Sequence, residues 1–448
     1  MKQQKKLLLA IFSTGILSFC GVVVETAMNV TFPQLMKLFN ITLSQAQWVT
    51  TSYLLVLAAM MPLSAFFKRN FNQKILFIIA ALFFLAGVLI DAFAQNLALL
   101  ILGRLFQGVG TGISLPLMFN IILEQAPKNK LGLLMGLGNF ITATAPAIGP
   151  VYGGILIDSY SWRMIFILLI PLIIIALISG IFSIPSTAQI AKSNFDFIGW
   201  SLTACMFVSL IVTFSFIGKS LVFTFIFLLI GIMSCYFMKK HYLNTPHPVI
   251  NWKILKDTRF TLHLSSYFIG QFVVLGLSFL VPNLMQLHFH LSSFQAGIAM
   301  SPGALLGAIA TPFGGALLDH LGAKKPIIYG ITLQTISVLS FILLFQYLSI
   351  FVVTIIFIIS ALGQSLSMSA IMTSALSKIN VLDQSDGNAL FNTFQQFAGA
   401  AGTAIISATV SLSLISSSTI RFYSAFIICL MVLVLDLFFV RKIFTKFD

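Results

Sequence analysis

The sequence predicts an all-α polytopic membrane protein, and three observations carry that prediction. Hydrophobic residues make up 58% of the 448 residues and charged residues only 8%, against roughly 25% charged in soluble domains. So few charges cannot clothe a water-facing surface. Apolar runs reach twenty residues and more, the length that crosses a hydrocarbon core of about 30 Å as a helix. A membrane barrel would instead alternate over segments of about ten residues. The basic residues, finally, fall on alternate sides of those runs. A soluble enzyme, a disordered chain and a nucleic-acid binder are excluded together, and the net charge of +14 reflects topology rather than a nucleic-acid partner.

Fourteen spans are predicted, near 8–32, 45–67, 75–94, 97–123, 132–157, 162–184, 196–217, 221–238, 260–288, 294–318, 326–346, 350–376, 388–412 and 420–440. With the N-terminus in the cytoplasm, inner segments hold twenty of the 25 basic residues, as positive-inside bias requires. Lys37, Arg163, Lys219 and Arg421 stay outside, and Arg104 falls within a span. Both termini are therefore expected in the cytoplasm. The first six and last six spans form blocks of similar length, which suggests a duplicated transporter with its site at the midplane between the halves. The expected organisation is a six-helix bundle over 1–190, two inserted spans over 191–240, a basic cytoplasmic linker over 241–259 and a second six-helix bundle over 260–448.

Other signals are weak. Cys20, Cys205, Cys235 and Cys429 lie far apart inside apolar runs, with neither metal-ligand spacing nor a disulfide framework. No cleaved leader is expected, because Phe19 is too large for the cleavage box that Leu17–Cys20 suggests. Gly218-Lys219-Ser220 lacks the upstream glycine of a phosphate-binding loop.

Glu25 is the sharpest position. A charged, unpaired acid inside a span costs several kcal/mol, so such acids are functional candidates. It lies on a polar stripe of Thr14, Ser18, Gly21, Glu25 and Asn29 at three- or four-residue spacing, a face that should look into the protein. A proton and a cationic substrate can compete for its carboxylate, the simplest route to exchange. Arg104 is the expected partner at similar depth, as an ion pair or through bridging water, because its charge cannot be titrated away. Asp436, close to Arg441 and Lys442, is expected to be structural or to reach toward the headgroups. Asp91, Glu124 and Asp158 are expected at the interface. A second polar stripe of Asn388, Asn392, Gln395 or Gln396 and Gly399, with Gln271 and Asn283, could orient a substrate without fixing its charge. Met28, Tyr53 and Phe391 are candidates for the pocket by position.

Several stretches resemble the major facilitator superfamily, specifically its fourteen-helix drug:proton antiporter branch. Glu25-Thr26-Ala27-Met28-Asn29-Val30-Thr31-Phe32-Pro33 is similar to the branch's first-span signature, with Glu where Asp is usual. Gln47-Trp48 and Tyr53-Leu54-Leu55 match the second span. Gly103-Arg104-Leu105-Phe106-Gln107-Gly108 resembles the proton-relay motif. Gly138, Ala145, Gly149-Pro150 and Gly153-Gly154 follow the antiporter motif, with Ala145 for a glycine. The loop after the second span departs, since Lys68 stands where an Asp belongs. Its counterpart, Gly315 to Lys325 with Asp319, Gly322 and Lys324, is better kept. The resemblance covers nearly the whole chain.

It implies a major facilitator fold: two six-helix bundles plus two extra central helices, fourteen transmembrane helices in all. It also implies proton coupling through Glu25 and Arg104. Substrate contacts are expected from Glu25, Met28, Asn29, Tyr53, Gln107, Gln271, Phe391, Asn392 and Gln395. Gly149, Pro150, Gly153, Gly154, Asp319, Gly322 and Lys324 would serve gating or structure, with Gly149 to Gly154 forming a tight seam that suppresses proton leak. No enzyme activity, metal or cofactor is expected, since the proton gradient supplies the energy. The expected function is export of amphipathic drugs, dyes or antibiotics by a monomer in a bacterial cytoplasmic membrane, with lipids as its surroundings. Export of an endogenous metabolite, lipid or siderophore, and a non-transporting sensor or scaffold, stand as alternatives.

Overall fold

The computed structural model describes residues 2–28, 31–41, 43–46, 48–186, 194–216, 220–245, 248–289, 293–410 and 418–446. Among these residues, fourteen α-helices of thirteen residues or more follow one another. They are α1 (Lys2–Met28), α2 (Trp48–Met60), α3 (Gln73–Ala92), α4 (Leu97–Gln125), α5 (Leu131–Ser159), α6 (Ile170–Ser183) and α7 (Phe197–Phe216). The second seven are α8 (Leu221–Asn244), α9 (Thr258–Leu287), α10 (Ser293–Leu321), α11 (Lys324–Leu343), α12 (Ile350–Ser377), α13 (Gln384–Val410) and α14 (Ser418–Lys446).

Twelve helical stretches among the described residues are long and apolar enough to cross a membrane. The protein is a multi-pass membrane protein. The two predicted spans outside that set are α7, whose apolar stretch Phe197–Thr213 is shorter, and α13. The latter opens on Gln384, Ser385, Asp386 and Asn388 and keeps amides along its length.

Local chemistry sets the helix ends. Side chains of Asn96, Asp257 and Ser349 accept from the first-turn amides of α4, α9 and α12, satisfying donors that have no intrahelical partner. The first predicted span stops earlier than expected. Pro33 has no amide hydrogen, so it opens a separate short helix, Phe32–Phe39. The sixth divides into Met164–Ile167 and α6, with Pro171 in the first turn of α6. The eighth runs on to Asn244 and takes in the start of the expected linker, whose later part holds the turn Trp252–Lys256.

The chain separates into two compact units. The first comprises Met1–Pro127, Ile141–Trp200 and Pro246–Ile250. At its centre α4 packs against α1, α2 and α3, and small residues let these helices approach. A Cβ on Gly87 would lie 2.5 Å from the Gly103 carbonyl oxygen, so α3 and α4 touch backbone to backbone, a close approach that glycine permits.

The second unit comprises Lys128–Phe140, Ser201–Thr245 and Asn251–Asp448. Here α12 packs on α10 and α11, and α9 packs on α13 and α14. Gly330 and Gly363 form the matching crossing between α11 and α12, with a Cβ on Gly330 2.5 Å from the Gly363 carbonyl oxygen. Phe207 of α7 packs against Phe394 and Phe397 of α13, at centroid distances of 5.6 and 6.0 Å, so aromatic contacts fasten α7 to α13.

Candidate functional site

The polar stripe of α1 faces the interior of the first unit, as its spacing predicts. Thr14 and Ser18 are fully buried. The Ser18 hydroxyl meets Ser114 of α4 at 3.1 Å. Gly21 fits where α2 and α4 converge: an added Cβ would overlap Thr111 and come 2.9 Å from the Tyr53 hydroxyl. Glu25 lies one turn further along this face. It is half-buried, and among the described residues it makes no hydrogen bond and no ion pair. Its partner on the stripe, Asn29, lies outside the described residues.

Arg104 is fully buried within the same unit. Its Nε donates to the Val49 carbonyl at 3.2 Å, and its Nη1 donates to Gln107 Oε1. Its guanidinium carbon lies 4.3 Å from the centre of the Tyr53 ring, a cation–π arrangement. Nη2 has no hydrogen-bond partner. Among the described residues Arg104 makes no direct ion pair with Glu25, so of the two forms expected, ion pair or bridging water, the first is not formed. The α2 carbonyl, Gln107 and Tyr53 occupy most of its fork.

The network ends on a residue whose burial sequence reasoning missed. Asp91, at the end of α3, is not open to solvent as an interfacial acid would be: it is fully buried, and its Oδ2 accepts from Gln107 Nε2 at 2.7 Å. Asp91 is four residues after Gly87, on the face that packs against Gly103, and that spacing is the signal that could have found it. Asp91, Gln107, Arg104 and Tyr53 form a chain of buried polar groups that ends beside Glu25. Glu124 does take a place at the helix ends, where it pairs with Lys68 at 3.7 Å and accepts from Gln73. The side chain of Asp158 lies outside the described residues.

In the second unit the amide stripe of α13 meets α9. Tyr267 donates to Gln395 Oε1 at 3.2 Å and lies beside Gln271. Phe391 packs edge-on against Tyr267 and Phe260, at 5.1 and 5.5 Å. Gln271, Phe391 and Gln395 are thus gathered around Tyr267, a residue the sequence did not single out. Asn392 turns to its own helix instead, donating to Asn388 Oδ1 at 2.7 Å. Met28 is buried and accepts at its backbone carbonyl from the Thr31 hydroxyl, 2.7 Å away.

The small-residue run of α5 is tight at one end. A Cβ on Gly149 would overlap Thr26 and lie 2.9 Å from the Val23 carbonyl oxygen, so α5 touches α1 directly beside Glu25. Gly153 is buried. Gly154, expected in the same seam, has open space around it. The side chain of Pro150 is outside the described residues. Asp319, in the last turn of α10, accepts from the amides of Gly132 and Leu133 at 2.9 and 3.0 Å. That places a carboxylate on the positive N-terminal end of α5. Gly322 ends α10 with φ of 74°, a backbone conformation open to glycine. Lys324, at the start of α11, is exposed.

A family model, the Major Facilitator Superfamily, matches residues 14–403. The chain belongs to the major facilitator superfamily. It is a transporter, not an enzyme. It is 30% identical over 390 residues to the lincomycin resistance protein LmrB of Listeria monocytogenes, a match that covers 86% of this chain and 83% of that protein. It is 27% identical over 378 residues to a multidrug resistance protein B homolog of Mycobacterium tuberculosis, covering 82% and 70% of the two chains. The riboflavin transporter RibZ of Clostridioides difficile is 26% identical over 459 residues, with 98% of each chain covered. In fold, the chain is similar to the human organic anion transporter MFSD10, with a TM-score of 0.67, 12% identity and coverage of 97% and 100%.

Proposed function

We propose that this transporter exports amphipathic drugs in exchange for protons. On this reading it spans a bacterial cell membrane fourteen times, has both termini in the cytoplasm and acts as a monomer by alternating access. One observation carries the mechanism. Glu25 is half-buried and unbonded on an interior polar face, while a buried arginine network ends beside it. A carboxylate in such a place is costly when bare, so it favours either a proton or a cation. Loading one displaces the other. Arg104 biases the competition electrostatically, and the Asp91–Gln107 chain holds the arginine in position. The seam of Gly149 on Thr26 lies next to Glu25 and closes α1 against α5.

The resistance functions named for the lincomycin and multidrug relatives support a drug-like cargo. One charge moving through the membrane potential supplies about 2.3 kcal/mol per 100 mV. Within the second unit, Gln271 and Gln395 beside Tyr267 would offer neutral amides to such molecules.

Purified protein in vesicles with an imposed pH gradient tests this. Dye or antibiotic should move against its gradient, and a protonophore should stop it. Transport unaffected by the protonophore would contradict proton exchange. The riboflavin transporter, similar along 98% of both chains, favours a second reading, export of an endogenous heteroaromatic metabolite. A substrate panel that includes flavins separates the two.

A further inference from the structure

The buried face of α14 is a stripe of Phe422, Phe426, Cys429, Leu433, Asp436, Val440 and Ile443, each at most 2% exposed. The three- and four-residue spacing makes it one continuous face. Asp436 occupies a position on it that apolar residues otherwise fill. It therefore faces the interior rather than reaching outward, so of the two roles expected for it, structural or reaching toward the headgroups, its burial speaks against the second.

Neither carboxyl oxygen of Asp436 has a hydrogen-bond partner. The group beside it is the hydroxyl of Ser266 on α9, which is itself fully buried and unpartnered. His263 precedes Ser266 by three residues, on the same face and about 4.5 Å nearer the start of the helix. It too is fully buried. Its Nδ1 lies 2.8 Å from the Arg259 carbonyl, which can only accept. The ring proton is therefore placed on Nδ1, and Nε2 keeps an open lone pair with no partner. A carboxyl, a hydroxyl and an imidazole with an open lone pair are thus all buried where α9 packs on α14.

The other titratable groups on helices packed against α14 are engaged or turned away. Tyr267 of α9 donates to Gln395. Asp386 of α13 accepts from the Asn251 amide at 3.0 Å. Tyr329, Lys324 and Lys325 of α11, like Arg441 and Lys442 of α14 itself, are exposed. The charges near His263 are Arg259, Lys378 and Asp257. Among the described residues, no cation pairs with Asp436.

We infer that Asp436, Ser266 and His263 form a second proton-binding site, separate from Glu25 and contained in the second unit. An unpaired carboxylate buried in a membrane protein is expensive. Two oxygens and one hydroxyl are too few to replace the hydration of a sodium ion, so a proton is the fitting occupant. The proton rests on the Asp436 carboxyl, with the Ser266 hydroxyl beside it and the open lone pair of His263 one turn along α9. The inference rests on the proton exchange proposed above and adds a second proton to each cycle.

The test is vesicle transport of a monovalent cationic dye, driven either by a pH gradient or by an imposed membrane potential. Two protons exchanged for one such cation move net charge, so wild type should respond to both forces. Asp436→Asn, nearly isosteric, should keep pH-driven exchange and become electroneutral, with its response to potential reduced about tenfold or more. Ser266→Ala should slow the same response. An undiminished response to potential in Asp436→Asn would overturn the inference. If wild type shows no exchange under a pH gradient, the antiport reading fails. The site is then judged by infrared spectroscopy. A carboxylic-acid band that titrates in wild type and is missing from Asp436→Asn supports it, and identical spectra refute it.

Discussion

The guanidinium of Arg104 lies on the Tyr53 ring, 4.3 Å from its centre, while its Nε bonds the Val49 carbonyl of the same helix. Both contacts come from α2, and a third comes from Gln107 on the arginine's own helix. Arg104 is thus clamped flat, with one nitrogen left open.

A lysine cannot reproduce that clamp. Its ammonium is a point donor with no planar face to lay on tyrosine. Arg104→Lys is expected to lower drug efflux about tenfold or more at equal protein level. Efflux from cells loaded with a fluorescent dye checks this, and a rate near wild type would show that charge alone suffices.

Asp91 anchors the far end of the network. Asp91→Ala leaves the Gln107 amide buried without its acceptor, a loss of about 1–3 kcal/mol. Asp91→Asn keeps a carbonyl oxygen in place and should cost less. Thermal unfolding in detergent should therefore rank wild type above Asn above Ala. An Ala variant as stable as wild type would mean that the Gln107 bond contributes nothing.

The two ends of the α5 glycine run should respond differently. Gly149→Ala forces a methyl into Thr26, whereas Gly154→Ala meets open space. Efflux should fall in the first variant and persist in the second. Equal behaviour of the two would argue against a close seam between α1 and α5.

Asp319 accepts from two first-turn amides of α5. Asp319→Ala is expected to cost about 1–2 kcal/mol through the lost charge at that helix end. Lys68→Ala should cost less than about 1 kcal/mol, because its 3.7 Å pair with Glu124 is partly solvated. Paired melting curves test the order, and a larger effect at Lys68 would reverse it.

Helix order and most boundaries were legible in the sequence, because runs of twenty apolar residues have few other fates. The prolines that cut the first and sixth spans could be seen, but not whether each would bend its helix or end it. Glu25 and Arg104 stood out as charges inside apolar runs. Their relation did not, because the groups that hold Arg104 are a backbone carbonyl and a tyrosine ring, which carry no sequence pattern. The burial of Asp91 and Asp436 was missed for one reason. Distance to a span end measures depth, whereas the spacing to Gly87 and to the Phe422–Ile443 stripe measures facing, and facing decides burial. Tyr267 went unnoticed because a tyrosine among many aromatics becomes distinctive only when Gln395 and Phe391 converge on it.

The most direct test of the central claim is the affinity of purified protein for a cationic dye, measured across pH in wild type and Glu25→Gln. If proton and dye compete for that carboxylate, wild-type binding weakens as pH falls, because protons fill the site. The Gln variant should then bind weakly at every pH. A Glu25→Gln protein whose affinity still falls with pH as steeply as wild type would contradict the account.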